Sequence, residues 1–121
     1  MTDAELLELA DAIAGRAYAP YSEFHVGAAV LTRDGHVIEG VNVENAAYPL
    51  GICAERNALS RAVTGGFGPG DIEAVATTAS PCGGCRQWLH EFRVDRVTYR
   101  NGNGDVVTRT PDEILPDSFD L

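Results

Sequence analysis

The chain has 121 residues, and 18 acidic side chains against 9 basic ones leave a formal net charge of −9. That length sets a single domain over residues 1–121, and 45% hydrophobic with 22% charged residues is the balance of a globular fold that buries roughly two thirds of its unfolded surface without disulfides. Every basic residue is Arg and none falls in a run, so the acidic surface repels phosphate backbones; this excludes a nucleic acid partner and favours a small neutral substrate.

Thr2-Asp3-Ala4-Glu5 forms a capping box, and Leu6, Leu7, Ala10, Ile13, Ala14 and Ala17 recur at helical spacing, which predicts a helix from Asp3 to Ala17. Glu5, Glu8, Asp11 and Arg16 interrupt it, so the stretch is neither a signal peptide nor a membrane span, and the chain reads as cytoplasmic with no membrane partner. Pro20 bars continuation. Phe24 to Leu31 and Val37 to Val43 are extended runs joined by the Asp34-Gly35 turn, the pattern of a hairpin. Asn42 to Leu50 is irregular, punctuated by Pro49 and Gly51. A second helix starts at Cys53, with Ala54, Ala58, Leu59, Ala62 and Val63 on one face, and stops at Gly65-Gly66.

Ile72 to Ala79 is a strand; Pro81 opens a helix that runs to about Arg93 through Trp88, Leu89 and Phe92. Val94 to Tyr99 and Val106 to Thr110 flank Asn101-Gly102-Asn103-Gly104, a hairpin turn, and a short turn or helix ends the chain. The order α, β, β, α, β, α, β, β predicts an α/β fold: a three-layer α/β/α sandwich on a mixed five-stranded sheet, its last two strands antiparallel.

Two short segments carry the chemistry: Cys53-Ala54-Glu55 and Pro81-Cys82-Gly83-Gly84-Cys85. Three cysteines form no closed disulfide set, and their spacing points to a metal or to catalysis. Each segment sits at a predicted helix start, where unpaired amides and the helix dipole favour thiolate. If both starts lie at one sheet edge, Cys53, Cys82 and Cys85 converge on one ion. Zinc suits three thiolates, and three protein ligands leave the fourth tetrahedral position open, the layout of a catalytic site. Glu55, two residues past Cys53, can reach that position without ligating and move protons between water and substrate. Zinc with three thiolates carries a net charge of −1, and Arg56 stands where it can hydrogen-bond a sulfur and offset that charge.

Plainer readings compete. A lone C-x-x-C at a helix start also suits a redox pair, but Cys53 and Glu55 have no part in one. A structural zinc site needs a fourth ligand, and His25, His36 and His90 all lie away from ligand spacing. Phe24, Phe119 and Trp88 taken singly read as core, and Asp112, Glu113, Asp117 and Asp120 as solvated charge.

Three cysteine ligands, a non-ligand Glu and a P-C-x-x-C segment follow the pattern of the zinc deaminases. The chain resembles the small homotetrameric cytidine deaminases over nearly its whole length, through Tyr18-Ala19-Pro20-Tyr21-Ser22, Phe24-His25-Val26-Gly27-Ala28-Ala29 and Asn42-Val43-Glu44-Asn45-Ala46. The match continues through Tyr48-Pro49-Leu50-Gly51-Ile52-Cys53-Ala54-Glu55-Arg56, Ser80-Pro81-Cys82-Gly83-Gly84-Cys85-Arg86-Gln87 and Leu115-Pro116-Asp117-Ser118-Phe119. The resemblance implies one Zn²⁺ per subunit on Cys53, Cys82 and Cys85, with Glu55 as proton shuttle. It implies that Asn42 and Glu44 bind ribose, that the Ala54 amide holds the base carbonyl, and that Phe24 flanks the pyrimidine. It further implies that Phe119 from a neighbouring subunit completes the pocket and that Tyr48 acts across the subunit contact, in a homotetramer with shared active sites and D₂ symmetry. Gly84 stands where Ala is common and Trp88 where a smaller aliphatic is common, neither of them expected to touch the chemistry. The tail ends two residues after Phe119, where many relatives continue.

The expected activity is hydrolytic deamination of cytidine and 2′-deoxycytidine to uridine or deoxyuridine and ammonia, in pyrimidine salvage. A deaminase of another aminopyrimidine nucleoside, of the blasticidin type, is the alternative enzyme, and a zinc or redox module the non-enzymatic one.

Overall fold

The computed structural model describes all of residues 1–121. The elements run α1 (Asp3–Ala14), β1 (Gly27–Thr32), β2 (Val37–Val41), a 3-10 turn (Tyr48–Leu50), α2 (Ala54–Thr64), β3 (Ile72–Thr77), α3 (Gly83–Glu91), β4 (Arg96–Arg100), β5 (Val106–Arg109) and α4 (Pro111–Ile114). The sheet order is β2-β1-β3-β4-β5; β3 and β4 pair in parallel, and the other neighbours are antiparallel. This is the α/β/α sandwich on a mixed sheet that the element order implies. No helix is long and apolar enough to cross a membrane.

Strand alternation sorts the core into two layers. Ala29 and Leu31 of β1, with Ala74 and Ala76 of β3, pack against Leu6, Leu7 and Ala10 of α1. Ala28 and Val30 face the other way, with Val75 and Val97, onto Ala58, Leu59 and Ala62 of α2 and Leu89 of α3. Each fully buried Leu, Ile or Val contributes about 1.5–3 kcal/mol, and these layers fix how the helices sit. Two glycines let helix backbone touch strand backbone. A Cβ on Gly27 would collide with the Ala10 carbonyl, and one on Gly40 with Ala54 O and Ala58 N.

The topology places the site. Antiparallel pairing of β1 with both β2 and β3 makes β2 and β3 run the same way, so their C-terminal ends share one edge of the sheet. α2 and α3 follow those two strands in the chain and therefore start at that edge.

Element ends differ from the sequence expectation for local reasons. α1 stops at Ala14 rather than Ala17, because the next amides close short turns, Arg16 N onto Ile13 O and Ala17 N onto Ala14 O. β1 begins at Gly27 rather than Phe24, because the Phe24–Val26 backbone is held by the Asn42 side chain and a single backbone bond, Asn42 N to Val26 O at 3.3 Å, rather than by a strand ladder. The segment after β2, expected to be irregular, is bridged on both sides: Val43 pairs with Tyr18 in parallel and with Ile52 antiparallel. That second bridge sets Ile52, and so Cys53, beside Asn42.

Candidate active site

Cys53 is the N-cap residue of α2 and Cys82 that of α3, with Cys85 in the first turn of α3. Their three sulfurs lie within 4.8 Å of one another, and Cys53 Sγ and Cys82 Sγ are 3.8 Å apart. Sulfurs at tetrahedral positions, each about 2.3 Å from a zinc ion, stand about 3.8 Å apart. The donor set therefore fits zinc in chemistry and in spacing. The Cys85 amide donates to Cys82 Sγ over 3.4 Å, a side-chain cap at the start of α3. The hydrogen bond from the Cys85 thiol pulls Cys53 down to about 6 against the opposing effect of burial, while the same bond, and then burial, push Cys85 up.

Glu55 is the second residue of α2, within its first turn, and is 3% exposed. Its Oε1 accepts the Thr77 hydroxyl at 2.5 Å, from the last residue of β3 on the face that carries Val75. Arg56 Nη2 lies 3.7 Å from Cys82 Sγ, and its Nε is buried with no hydrogen-bond partner. Although burial opposes the charge, hydrogen bonding and attraction to the cysteines hold the guanidinium in its charged form. A Cβ on Gly84 would strike that guanidinium, so the expectation that Gly84 stays clear of the chemistry is corrected: its bare Cα makes room for Arg56.

A polar loop borders the cysteines. Asn42 Oδ1 accepts from Val26 N at 2.8 Å and Nδ2 donates to Phe24 O at 2.8 Å. Glu44 Oε1 accepts the Tyr21 and Ser22 amides at 3.0 and 3.1 Å, while Oε2 accepts the Ser22 hydroxyl. These bonds hold the Glu44 carboxyl below its ordinary range, the Ser22 hydroxyl first among them. The two side chains thus staple the loop that carries Phe24. Phe24 is 61% exposed, Tyr48 91% and Phe119 66%, so none of the three is a core aromatic.

The zinc-binding region of the cytidine and deoxycytidylate deaminases matches residues 1–101. This chain belongs to that family. It is 45% identical over 111 residues to a cytidine deaminase of Halalkalibacterium halodurans, covering 85% of this chain and 83% of that protein. Among solved structures, the cytidine deaminase of Burkholderia pseudomallei superposes with a TM-score of 0.91 at 44% identity over 98% of this chain and 100% of the other. That of Mycobacterium tuberculosis gives 0.86 at 35% identity over 100% and 99%.

In this deaminase the fold gathers Cys53, Cys82, Cys85, Glu55 and Arg56 at one sheet edge, with Ala54 fully buried at the first position of α2 and Asn42 one bridge away. Three polar residues were given no role at the site from the sequence. Thr77 was legible by alternation, two residues after Val75 on the strand face that meets α2. Arg86 ties α3 to the Pro81 carbonyl, the Ile114 carbonyl and the Ser80 hydroxyl. His90, taken as an ordinary histidine, binds Asp120, taken as solvated charge, at 2.9 Å; nothing local in the sequence couples residues 30 apart.

Proposed function

We propose that this chain hydrolyses cytidine and 2′-deoxycytidine to uridine or deoxyuridine and ammonia, as a step of pyrimidine salvage in the cytoplasm. The observation that carries the reading is a buried carboxylate, fixed by Thr77, two residues along α2 from a cluster of three sulfurs with zinc spacing. Cys53, Cys82 and Cys85 would hold one zinc ion per subunit. Zinc held there supplies Lewis acidity, which brings the pKa of water toward neutrality.

Glu55 takes one proton of the water that adds to C4 of the pyrimidine and passes it to N3; it then takes the second proton, from the hydroxyl now on C4, and delivers it to the amine, so that ammonia leaves as the C4 carbonyl forms. One carboxylate serves each of these transfers because Thr77 pins Oε1 and sets the plane of the group. Ala54 N–H, at the first position of α2, has no acceptor within its own helix and is free to bind the base carbonyl. Arg56 offsets the excess negative charge of three thiolates on a divalent ion.

Asn42 and Glu44 bind the ribose with the capacity that the loop leaves over. An amide side chain has two N–H groups and two lone pairs, and the loop uses one of each; Glu44 keeps one lone pair on Oε2. Phe24 flanks the pyrimidine. A homotetramer completes the site, with Tyr48 at the subunit contact and Phe119 from a neighbouring subunit stacked on the base; the exposure of these three rings in a single chain supports the shared pocket. Three free cysteines packed together persist as metal ligands where thiols stay reduced, which supports the cytoplasmic setting.

Glu55→Gln tests the reading. The near-isosteric amide keeps the fold and the zinc, while turnover of cytidine falls by about 10²–10⁴-fold or more. A zinc-loaded Gln protein that turns over near the wild-type rate would remove Glu55 from the reaction.

A further inference from the structure

Both ring nitrogens of His90, near the end of α3, are committed to the last four residues of the chain. Ser118 Oγ lies 3.2 Å from Nδ1 and Asp120 Oδ1 lies 2.9 Å from Nε2, and the imidazole is only 15% exposed. One neutral tautomer satisfies both partners: the Ser118 hydroxyl donates to Nδ1, and Nε2–H donates to Asp120. Phe119 is the residue between them. Its neighbours on either side are tied to a helix of the core layer while its own ring stays outside. The tail is also held at its root, where Arg86 Nη1 donates to the Ile114 carbonyl at 2.9 Å. It turns at Asp117, whose φ of 57° lies in the left-handed region.

We propose that His90 is a positioning residue for the reaction: it clamps the tail on both sides of Phe119 and so presents that ring to the pyrimidine bound in a neighbouring subunit. The proposal rests on the role given to Phe119 above. His90 touches neither substrate nor zinc ligands; it acts by lowering the entropy that Phe119 loses when it stacks.

Steady-state kinetics on cytidine for the wild type, His90→Ala, Phe119→Ala and the double variant test this, with zinc content and sedimentation measured on each protein. His90→Ala raises KM about threefold to tenfold, the range of one aromatic contact, with kcat within about twofold and with zinc and subunit number unchanged. In the Phe119→Ala background the same change adds nothing, since the ring it positions is gone. His90→Gln, whose amide can still donate to Asp120, restores most of the lost affinity. If His90→Ala fails to fold, the paired change Ser118→Ala with Asp120→Ala releases the clamp from the exposed side and raises KM alike. A wild-type KM in His90→Ala, beside a raised one in Phe119→Ala, would overturn the clamp and leave the role of Phe119 standing. A wild-type KM in Phe119→Ala would overturn that role and the clamp with it. A further rise from His90→Ala in the Phe119→Ala background would show that His90 acts by another route.

Discussion

Thr77 holds Glu55 by a single hydroxyl. Replacing it with Val keeps the shape but leaves a buried carboxylate oxygen without its donor, a change that costs about 1–3 kcal/mol. Thr77→Val is expected to lower kcat about tenfold to a hundredfold with zinc retained, since a hydrogen bond to a charged group is worth about 1.5–3 kcal/mol; an unchanged kcat would make the contact merely structural. Glu44 gives a second prediction. A carboxylate near the ribose disfavours a 5′-phosphate, so cytidine 5′-monophosphate should react with kcat/KM lower by about tenfold or more, the scale of one unscreened like-charge contact. Equal values would place the sugar elsewhere. At this scale the sequence made the three cysteines, Glu55 and Arg56 visible because they sit within short motifs at helix starts. Thr77, Arg86 and His90 act on residues more than twenty positions away, and Gly84 acts by what it lacks.

Helix α2 is the element on which the site depends, because it carries Cys53, Ala54, Glu55 and Arg56 and lies directly on β2 at Gly40. A methyl group at Gly40 meets backbone atoms of Ala54 and Ala58, which cannot turn aside as a side chain can. Gly40→Ala is therefore expected to destabilise the protein by about 1–3 kcal/mol, in the range of overpacked cores. It should also weaken zinc retention, because the displaced turn is the one that starts at Cys53. Melting curves with metal analysis check both, and wild-type stability would show that α2 can slide without loss. Most elements were legible from periodicity and turn residues. The ends of α1 and β1 and the bridged Asn42–Ile52 stretch were not, since side-chain bonds and single bridges set them rather than a repeating pattern.

For the whole molecule, carboxylates paired with arginines tie distant parts of the chain. Asp11 with Arg100 joins α1 to β4, and Asp95 with Arg33 joins the start of β4 to the end of β1. The hydrogen bond from Arg100 holds the Asp11 carboxyl below its usual value, and that from Arg33 does the same for Asp95. A depressed carboxyl pKa stabilises the folded state above the unfolded value and loses that contribution as pH falls through the folded one. The part of the melting temperature owed to these carboxylates is thus expected to stay level from about pH 8 to 5 and to fall below about pH 4, where they take up protons. Arg100→Gln should make the acid fall shallower. A melting temperature that rises on acidification would contradict this account.

The central claim, that the gathered edge of α2 and α3 is a zinc site for cytidine deamination, meets its most direct test in one assay on purified protein of known zinc content. Ultraviolet absorbance of added cytidine is followed while ammonia is measured in the same sample. The account predicts about one zinc per chain and loss of the cytidine chromophore with ammonia released in equal amount. Full zinc occupancy with an unchanged cytidine spectrum would contradict it.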